Sequence, residues 1–370
     1  MSDSIVNVGV IGTSWWSDAM YLPALQNHPH ARVAAVAGRD AERTQAFAKL
    51  WNVPGAYTDT ETMFDKESLD AVIILSPNNQ HLPMTMKALE RGLHVLCEKP
   101  LGMNYGESRR MNEAAIQAGV KTMVPFTYRF MPVMRHIKAL VDEGYIGQPY
   151  HLNMRYYAGY ARDGQYMWRF DLDEAGAGIA GDLGTHWIFL ASWLFGDIQA
   201  VTAMLAHNVP RAPKPDGVAY RVGDDAAVML VEFENGAQGV LHMSAVAYEA
   251  TPFGQIHEME FHGSEGTLHA RTDWDTVQKI FGARVGEGMV RELAIPEAIW
   301  GGARDDTVHH TYKDVFRQQD FMTRGFISAI VDGTPTSPDF ADGMRVQRVL
   351  DAALLSGKEH RRVLIEEITG

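Results

Sequence analysis

The sequence predicts an α/β domain built on a doubly wound parallel sheet, followed by an α+β domain with a large open, mostly antiparallel sheet. Up to about residue 125, apolar strands alternate with amphipathic helices. Beyond that point, strands follow one another with few helices between them. A chain of 370 residues is long enough for two domains, which we place at residues 1–125 and 126–370.

The strands of the first predicted domain are apolar throughout, and segments with helical spacing separate them. The strands are VNVGVIG, RVAAVAGR, DAVIILSP, LHVLCEKP and VKTMVPF. The helices are DAMYLPALQNHP, DAERTQAFAKLWN with Asp40 as N-cap, YTDTETMFDKESL, QHLPMTMKALERG ending at Gly92, and NYGESRRMNEAAIQAG ending at Gly119. Continuous apolar strands need cover on both faces, which a parallel sheet between two helical layers provides.

The second predicted domain opens with a helix, MRHIKALVDEGYIG, and then consists mainly of strands. These are HLNMRYYAGY, QAVTAMLAHNV, AAVMLVEFE, AQGVLHMSAVAY, HEMEFHG and GTLHART. Asn235-Gly236 is a strong hairpin signal between two of them. Residues 210–217 are predicted as a loop, 283–310 are weakly patterned, and 341–357 form a late helix with a glycine stop.

Composition restricts the classes of partner. A net charge of −13 argues against nucleic acid and anionic membranes as partners. The single cysteine, Cys97, excludes an internal disulfide framework and is predicted to be a buried thiol. No apolar run reaches the length of a membrane span, and the N-terminus enters a strand too early to hold a signal peptide. We expect a cytoplasmic protein.

The stretch GVIGTSWWSD raises the first functional question. Gly12 ends an apolar strand, where a small residue lets the backbone approach a pyrophosphate at a helix N-terminus. In the G-x-G-x-x-G frame, however, Ser14 and Ser17 replace the second and third glycines. The stretch is either a cofactor loop with altered glycines or an ordinary strand end. Trp15 and Trp16 either cover a cofactor or pack in the core.

The end of the second strand, VAGRD, bears on the choice of nicotinamide cofactor. An acidic residue at this position binds the adenosine ribose and favours NAD. Arg39 stands here instead, and a guanidinium can pair with the 2′-phosphate of NADP. The simpler interpretation of Asp40 is a helix cap. We therefore predict NADP as the preferred cofactor and NAD as the alternative.

Two further strands of the first domain end in polar residues. SPNNQH, residues 76–81, follows DAVIIL, and Glu98-Lys99-Pro100 follows LHVLC. The carboxyl ends of parallel strands are where such sheets bind ligands. A lysine at the end of a buried strand is costly without a partner or a function. A loop with a helix cap remains the alternative for SPNNQH.

A glycine-rich turn in the second domain leads into a helix, in GAGIAGDLGTHWIFLASWLFG. Asp182 and His186 are four residues apart, so on a helix they lie one turn apart on the same side. A carboxylate beside an imidazole raises the imidazole pKa or orients the ring. A capping aspartate and a buried histidine are the alternative interpretation.

Together these motifs resemble the Gfo/Idh/MocA family of NAD(P)-dependent oxidoreductases, over nearly the whole chain. SPNNQH resembles the family motif TPN-x-x-H, HVLCEKPLG resembles its EKP motif, and GAGIAGDLGTH is similar to GGG-x-L-x-D-x-G-x-H. Ala177 and Ala180 are substitutions in the last of these. HGSEGTL and DGMRVQRVLDAALLSG resemble C-terminal segments of the family. The agreement of several motifs in the same order is far more specific than any one of them.

The resemblance implies roles for particular residues. The catalytic residues it implies are Lys99, Asp182 and His186. The cofactor-binding residues are Gly12, Thr13, Ser14, Trp15, Trp16, Arg39, Ser76, Pro77, Asn78, His81, Glu98, Lys99 and Arg169, the last from a Trp168-Arg169 pair. The substrate-binding residues are Lys99, Tyr128, Tyr160, Trp168, Asp182 and His186. No metal is expected, and His309-His310 is interpreted as a surface loop.

The function implied is hydride transfer between nicotinamide and a secondary alcohol or ketone of a sugar, sugar derivative or cyclitol. His186 would act as the general base, and Lys99 would stabilise the negative charge on the same oxygen. Two alternatives stay open: an NAD-dependent glycosidase that oxidises its substrate transiently, and a non-catalytic regulator that senses the cofactor. The resemblance also implies a homodimer or homotetramer. Which sugar or cyclitol is bound does not follow from the sequence.

Overall fold

The computed structural model describes residues 4–370. The expectation that the N-terminus holds no signal peptide concerns a stretch that starts at residues 1–3, which lie outside the described residues. The strands are β1 (Val6–Ile11), β2 (Ala31–Ala37), β3 (Gly55–Tyr57), β4 (Ala71–Ile74), β5 (His94–Cys97), β6 (Thr122–Met123), β7 (Pro149–Ala158), β8 (Ile198–Ala206), β9 (Ala226–Phe233), β10 (Gln238–Ser244), β11 (Gln255–Gly263), β12 (Gly266–Asp273), β13 (Lys279–Arg284), β14 (Arg291–Leu293) and β15 (Val363–Leu364). The α-helices are α1 (Leu22–Gln26), α2 (Ala41–Leu50), α3 (Thr60–Lys66), α4 (His81–Glu90), α5 (Tyr105–Ala118), α6 (Pro132–Asp142), α7 (Leu172–Ala175), α8 (Ile179–Asp182), α9 (Gly184–Phe195), α10 (Glu297–Trp300), α11 (Val308–Gln318), α12 (Thr323–Asp332) and α13 (Phe340–Glu359).

The first sheet has six parallel strands in the order β3-β2-β1-β4-β5-β6, which confirms the predicted doubly wound fold. All four residues of β4 are buried, as expected for a central strand covered on both faces. Ile11 pairs with Ile74, and Ile74 pairs with Cys97. The loops that follow β1, β4 and β5 therefore begin at one edge of the sheet.

Local signals of the first unit behave largely as predicted. Asp40 caps α2 by accepting a hydrogen bond from the Arg43 amide at 2.8 Å. Gly119 follows α5 with a left-handed φ of 66°. One difference is the first helix, where a π-helical turn, Ser17–Tyr21, precedes the short α1.

The chain forms two compact units, and the first is discontinuous in sequence. It contains the described residues up to Pro125 together with Lys313–Met344. The sequence placed residues 313–344 with the second domain, because it follows that domain without a recognisable boundary. In the structure α12 packs on α1, β1 and β5, and its Phe326 and Ile327 are completely buried. Burial of this apolar face is the physical reason that the segment belongs to the first unit.

The second unit comprises Phe126–Tyr312 and Arg345–Gly370 and is built on a nine-stranded sheet. The strand order is β14-β13-β12-β11-β7-β10-β9-β8-β15. Only the pairing of β7 with β10 is parallel, so the predicted large, mostly antiparallel sheet is confirmed. Asn235-Gly236 joins β9 to β10 as the predicted hairpin turn, with Gly236 at φ 88°.

Three predictions about the later chain need correction. The weakly patterned segment 283–310 contains β14 and α10. The late helix α13 runs to Glu359 and does not stop at Gly357. His309 and His310 lie in the first turn of α11 and not in a loop; the His310 ring is 2.8 Å from an Asp306 carboxylate oxygen.

Two absences apply to the described part of the chain. No helix within residues 4–370 is long and apolar enough to cross a membrane. Across the same residues, no three histidine, cysteine, aspartate or glutamate side chains are grouped so as to hold a metal ion. The cytoplasmic location and the oligomeric state stay predictions.

Candidate functional site

The turn after β1 is a close backbone approach that only glycine allows. Gly12 has a φ of 119°, and a Cβ on it would lie 2.9 Å from the Leu75 carbonyl oxygen. Its amide donates to Ala37 O at 2.8 Å, which fixes the turn against β2. Helical structure begins immediately afterwards, at Trp15. A glycine turn followed by helix amides is the arrangement that binds a pyrophosphate.

The replaced glycines of this loop have structural roles. The Ser14 hydroxyl accepts the Ser17 amide at 3.3 Å, so it occupies the position of a helix cap. The Trp15 side chain is 69% exposed. Trp16 instead turns toward β5, and its indole donates to Glu98 Oε1 at 2.9 Å. Trp15 and Trp16 therefore have different environments, one exposed and one hydrogen-bonded to Glu98.

Glu98 connects the loop after β5 to the first helical segment through side-chain hydrogen bonds. Its Oε1 accepts hydrogen bonds from Trp16 and from the Tyr21 hydroxyl at 2.6 Å, and its Oε2 accepts the Lys99 amide at 3.0 Å. The carboxylate is therefore occupied by protein donors. The peptide bond between Lys99 and Pro100 is cis. These contacts hold Lys99 at the carboxyl edge of the first sheet.

The SPNNQH segment begins at the same edge. Asn78 is buried at the start of a 3₁₀ turn, while Ser76 and Pro77 are half-buried. His81 is fully buried; its Nδ1 lies 2.9 Å from Pro100 O and its Nε2 lies 3.0 Å from Ser76 O. Burial lowers the pKa of His81, so the ring is neutral and donates from one nitrogen. Its contacts join the loops after β4 and β5.

Arginines stand at the end of β2. Arg39 is exposed there, and Asp40 beside it is engaged in capping α2. The guanidinium of Arg43 reaches back to the loop after β1 and donates to Thr13 O from Nε at 3.0 Å and from Nη2 at 2.7 Å. The sequence interpretation did not include Arg43. The end of β2 is thus followed by two arginines, Arg39 and Arg43, and the carboxylate of Asp40 is engaged in capping α2.

The second unit brings two of the predicted residues, Tyr160 and Arg169, to the carboxylate of a third, Asp182. Tyr160 donates from its hydroxyl to Asp182 Oδ2 at 2.8 Å, and Arg169 Nε lies 3.4 Å from the same oxygen. Desolvation and the Asp182 charge raise the pKa of Tyr160 well above its ordinary value, so the phenol stays a donor. The Trp168 ring lies against the Arg169 guanidinium at 4.9 Å.

His186 lies in the first turn of α9, four residues after Asp182 at the end of α8. Its ring is buried and contacts the edge of Tyr128, with the ring centroids 4.9 Å apart. The Tyr128 hydroxyl lies 2.6 Å from that of Tyr156. Burial raises the pKa of Tyr128 well above its ordinary value. His186 therefore stands against neutral aromatic side chains.

Behind Tyr128 lies a polar pair that the sequence interpretation missed. Gln255 Nε2 lies 3.0 Å from His257 Nε2 and 3.4 Å from the Tyr128 hydroxyl. Burial lowers the pKa of His257 to about 3, so the ring is neutral and accepts the hydrogen bond. The alternation of β11 placed both residues on its buried face. Polar side chains at core positions of a strand were the signal available in the sequence.

The fold and these residues define a nicotinamide-dependent oxidoreductase. A family model described as "Oxidoreductase family, NAD-binding Rossmann fold" matches residues 6–126, and one described as "GFO/IDH/MocA C-terminal domain" matches residues 134–269. The chain belongs to the Gfo/Idh/MocA family, as its motifs predicted, and its first unit is an NAD-binding Rossmann domain.

Characterised relatives match most of the chain. Levoglucosan dehydrogenase of Pseudarthrobacter phenanthrenivorans is 27% identical over 98% of this chain and 99% of its own length. The NADP⁺-dependent scyllo-inositol 2-dehydrogenase of Bacillus subtilis is 28% identical over 79% of this chain and 84% of its own. A solved levoglucosan dehydrogenase in complex with NADH superposes with a TM-score of 0.86 at 26% identity, covering 98% of this chain and 99% of that one.

Proposed function

We propose that the protein transfers a hydride between a nicotinamide cofactor and a secondary alcohol or ketone of a sugar, sugar derivative or cyclitol. The observation that carries the proposal is the Asp182 carboxylate, held by Tyr160 and Arg169 at the end of α8, four residues before a buried histidine in α9. The names of the relatives, which act on an anhydrosugar and an inositol, support the substrate class.

A nicotinamide bound by the first unit would supply the acceptor for the hydride of the substrate carbon. His186 takes the hydroxyl proton as general base, and in the reverse direction it returns that proton. Lys99 donates a hydrogen bond to the same oxygen and stabilises its negative charge. Asp182 orients His186 or binds a neighbouring hydroxyl of the substrate. Tyr128, Tyr160 and Trp168 contribute to the substrate site.

We further propose that the cofactor is bound by the glycine turn and the strand ends of the first unit, and that NADP is preferred over NAD. Gly12, Thr13 and Ser14 supply the pyrophosphate turn, with Trp15 and Trp16 at the helix start. Ser76, Pro77, Asn78, His81, Glu98 and Lys99 form or support the sheet edge, and Arg169 contacts the nicotinamide end. The NADP preference rests on Arg39, beside an Asp40 carboxylate that already caps α2.

The replacement His186→Ala tests the reaction. Removing a general base lowers the rate by about 10²–10⁴-fold, so we expect kcat to fall by that factor with little change in cofactor affinity. The measurement is reduction of NAD(P)⁺ with a panel of sugars and cyclitols, followed by absorbance of the reduced nicotinamide. His310→Ala is the control, because this histidine pairs with Asp306 on the surface.

Full turnover by His186→Ala would overturn the assignment of the base. Release of an aglycone from a glycoside without net reduction of the cofactor would instead identify the glycosidase alternative. Cofactor binding without turnover of any substrate in the panel would favour the sensor alternative.

A further inference from the structure

Two consecutive aspartates that precede β9 hold the backbone on which the candidate active-site groups stand. We call Asp224 and Asp225 the acidic pair. Both are almost completely buried in the second unit, with exposed fractions of 3% and 1%. Neither was a candidate from the sequence. Buried carboxylates are costly unless hydrogen bonds satisfy them, so their partners indicate what they do.

Asp224 accepts three consecutive amides of the glycine-rich turn. Its Oδ1 accepts Gly178 N at 3.1 Å, its backbone oxygen accepts Ile179 N at 2.8 Å, and its Oδ2 accepts Ala180 N at 2.8 Å. These amides open α8, whose first N–H groups have no partner within the helix. Asp224 thus caps α8 from a distant part of the chain. Asp182, the last residue of α8, is one turn away.

The turn has no room to move toward Asp224. A Cβ at Gly178 would overlap the backbone of Asp224, so the two segments are in direct contact. The same segment also fixes the neighbouring turn that carries Arg169. Gly223 N donates to Phe170 O at 2.8 Å, and Leu172 N donates to Arg221 O at 2.9 Å.

Asp225 is connected through Arg211 to the backbone beside Tyr160, whose hydroxyl donates to Asp182. Its carboxylate accepts the amides of Asn208 and Val209 and lies 3.5 Å from the buried guanidinium of Arg211. Arg211 donates in turn to the carbonyl of Ala161, the residue after Tyr160. The acidic pair is therefore connected to the backbone beside Tyr160, beside Arg169 and within α8.

We propose that Asp224 is a positioning residue for the hydride-transfer reaction, which holds α8 so that Asp182 and His186 keep their relative placement. Asp225 does the same for Tyr160 through Arg211. The inference rests on the proposed function, because Asp182 and His186 matter only if they act on a substrate. Asp224 acts on these two residues through the backbone amides of the turn, from which it accepts its hydrogen bonds.

The ionisation of Asp224 makes this role depend on pH. Burial raises its pKa to about 6, although the amides of Ala180 and Gly178 and the charge of His207 act in the opposite direction. The other charged groups on the neighbouring segments include Asp182 on α8, Asp225 and Arg221 on its own segment, and Asp173 and Glu174 on α7. Because this pKa is higher in the closed turn than in an opened one, protonation below about pH 6 removes the cost of the buried charge and stabilises the closed turn.

The test compares the wild type, Asp224→Asn and Asp216→Asn. Asp216 is the matched control, because it also accepts a backbone amide, that of Val218 at 3.0 Å, but at an exposed position. Hydrogen–deuterium exchange of residues 176–186 reports on the cap without a substrate. For the wild type we expect protection factors, corrected for intrinsic exchange, to rise about tenfold from pH 7.5 to pH 5, because the closed turn takes up the proton more readily than an opened one.

In Asp224→Asn an amide group faces a backbone N–H, so protection should be about tenfold lower at pH 7.5 and nearly independent of pH. We expect kcat to fall at least about tenfold, with unchanged affinity for NAD(P)H, since only the alignment of the reacting groups is lost. A role confined to stability would lower the amount of folded enzyme and leave the kcat of the folded fraction unchanged.

The outcomes separate this inference from the proposed function. A wild type that turns over no polyol contradicts the proposed function, and the exchange experiment still decides whether Asp224 holds the turn. An active wild type whose Asp224→Asn variant keeps both kcat and protection contradicts the inference. Loss of protection with an unchanged kcat also contradicts it, because releasing the turn from Asp224 would then have no consequence for the reaction.

Discussion

At the scale of single residues, the loop after β1 shows why two lost glycines do not abolish a cofactor turn. Gly12 is the position with a left-handed φ and a backbone oxygen 2.9 Å from where a Cβ would be. Ser14 supplies a hydroxyl that caps the following helix, which glycine could not do. The motif frame treats the three positions as equal, whereas the backbone makes its strictest demand at the first.

The cofactor preference is also decided by single side chains. In Arg39→Ala we expect the dissociation constant for NADPH to rise at least about tenfold, because a charge-assisted hydrogen bond to the 2′-phosphate is lost. The constant for NADH should stay within about twofold. Titration of the bound reduced nicotinamide by fluorescence measures both.

Arg32 provides the control for this measurement. It is an exposed arginine on the same strand, β2, but near its opposite end. Arg32→Ala should leave both dissociation constants near the wild-type values. Tighter binding of NADH than of NADPH by the wild type would show that the interpretation of Arg39 is wrong.

At the scale of elements, local patterns predicted the strands well but did not predict which helices that are distant in sequence pack on them. The apolar run DAVIIL gave a correct central strand because its burial depends on its own residues. The assignment of α12 to the first unit depends instead on a pocket formed by β1, β5 and α1, far away in sequence. No spacing within Thr323–Asp332 specifies which sheet its apolar face covers.

The buried face of α12 makes a prediction about stability. Phe326 is completely buried in the first unit, so Phe326→Ala should lower the free energy of unfolding by about 3–5 kcal/mol through lost burial and the cavity left behind. Urea unfolding monitored by circular dichroism measures the change. Ile116→Ala is the control, since Ile116 on α5 is 71% exposed and should change stability by less than about 0.5 kcal/mol.

An effect of Phe326→Ala below about 1 kcal/mol would contradict the packing of α12 on the first sheet. In that case residues 313–344 would behave as a surface appendage of the first unit, and its core would not depend on them.

At the scale of the whole molecule, two buried groups give the free energy of unfolding opposite dependences on pH. The folded pKa of His257, about 3, lies below that of an unfolded histidine, so its contribution is lost as pH falls below about 6.5. The folded pKa of Asp224, about 6, lies above its unfolded value of 3.8, so its contribution grows as pH falls through that window. The two effects partly offset each other between pH 6 and 4.

His257→Gln separates these contributions. Between pH 7 and pH 5 the unfolded wild type binds a proton at residue 257 and the folded protein does not, which costs about 2 kcal/mol. We expect the variant to lose less stability over this range by about that amount, measured by urea unfolding at both pH values. The exposed His360, changed to Gln, should keep the wild-type slope. An equal slope in His257→Gln would show that His257 is not held neutral.

Residue spacing by itself indicated only the pair Asp182 and His186, whereas Tyr160 and Arg169 were predicted from the resemblance to the family and Asp224 was not predicted at all. The spacing of four between Asp182 and His186 predicted one helical turn, whereas in the structure Asp182 ends α8 and His186 lies in the first turn of the next helix, α9, after Leu183. Tyr160, Arg169 and Asp224 contact α8 from separate segments, and their pairings arise from the fold of the second unit. Three adjacent strands and a glycine turn must be assembled before these contacts exist.

The discontinuity of the first unit has a consequence for the order in which the chain is made. A ribosome completes β1 to β6 first and delivers α12 only after the whole of residues 126–312. At about 5–20 residues per second, this interval lasts roughly ten to forty seconds. During it the apolar surface that Phe326 and Ile327 later cover stays open on the nascent chain. The first unit therefore begins to emerge first but is completed only after residues 126–312 of the second unit have been made, and a chaperone could bind its open apolar surface during that interval.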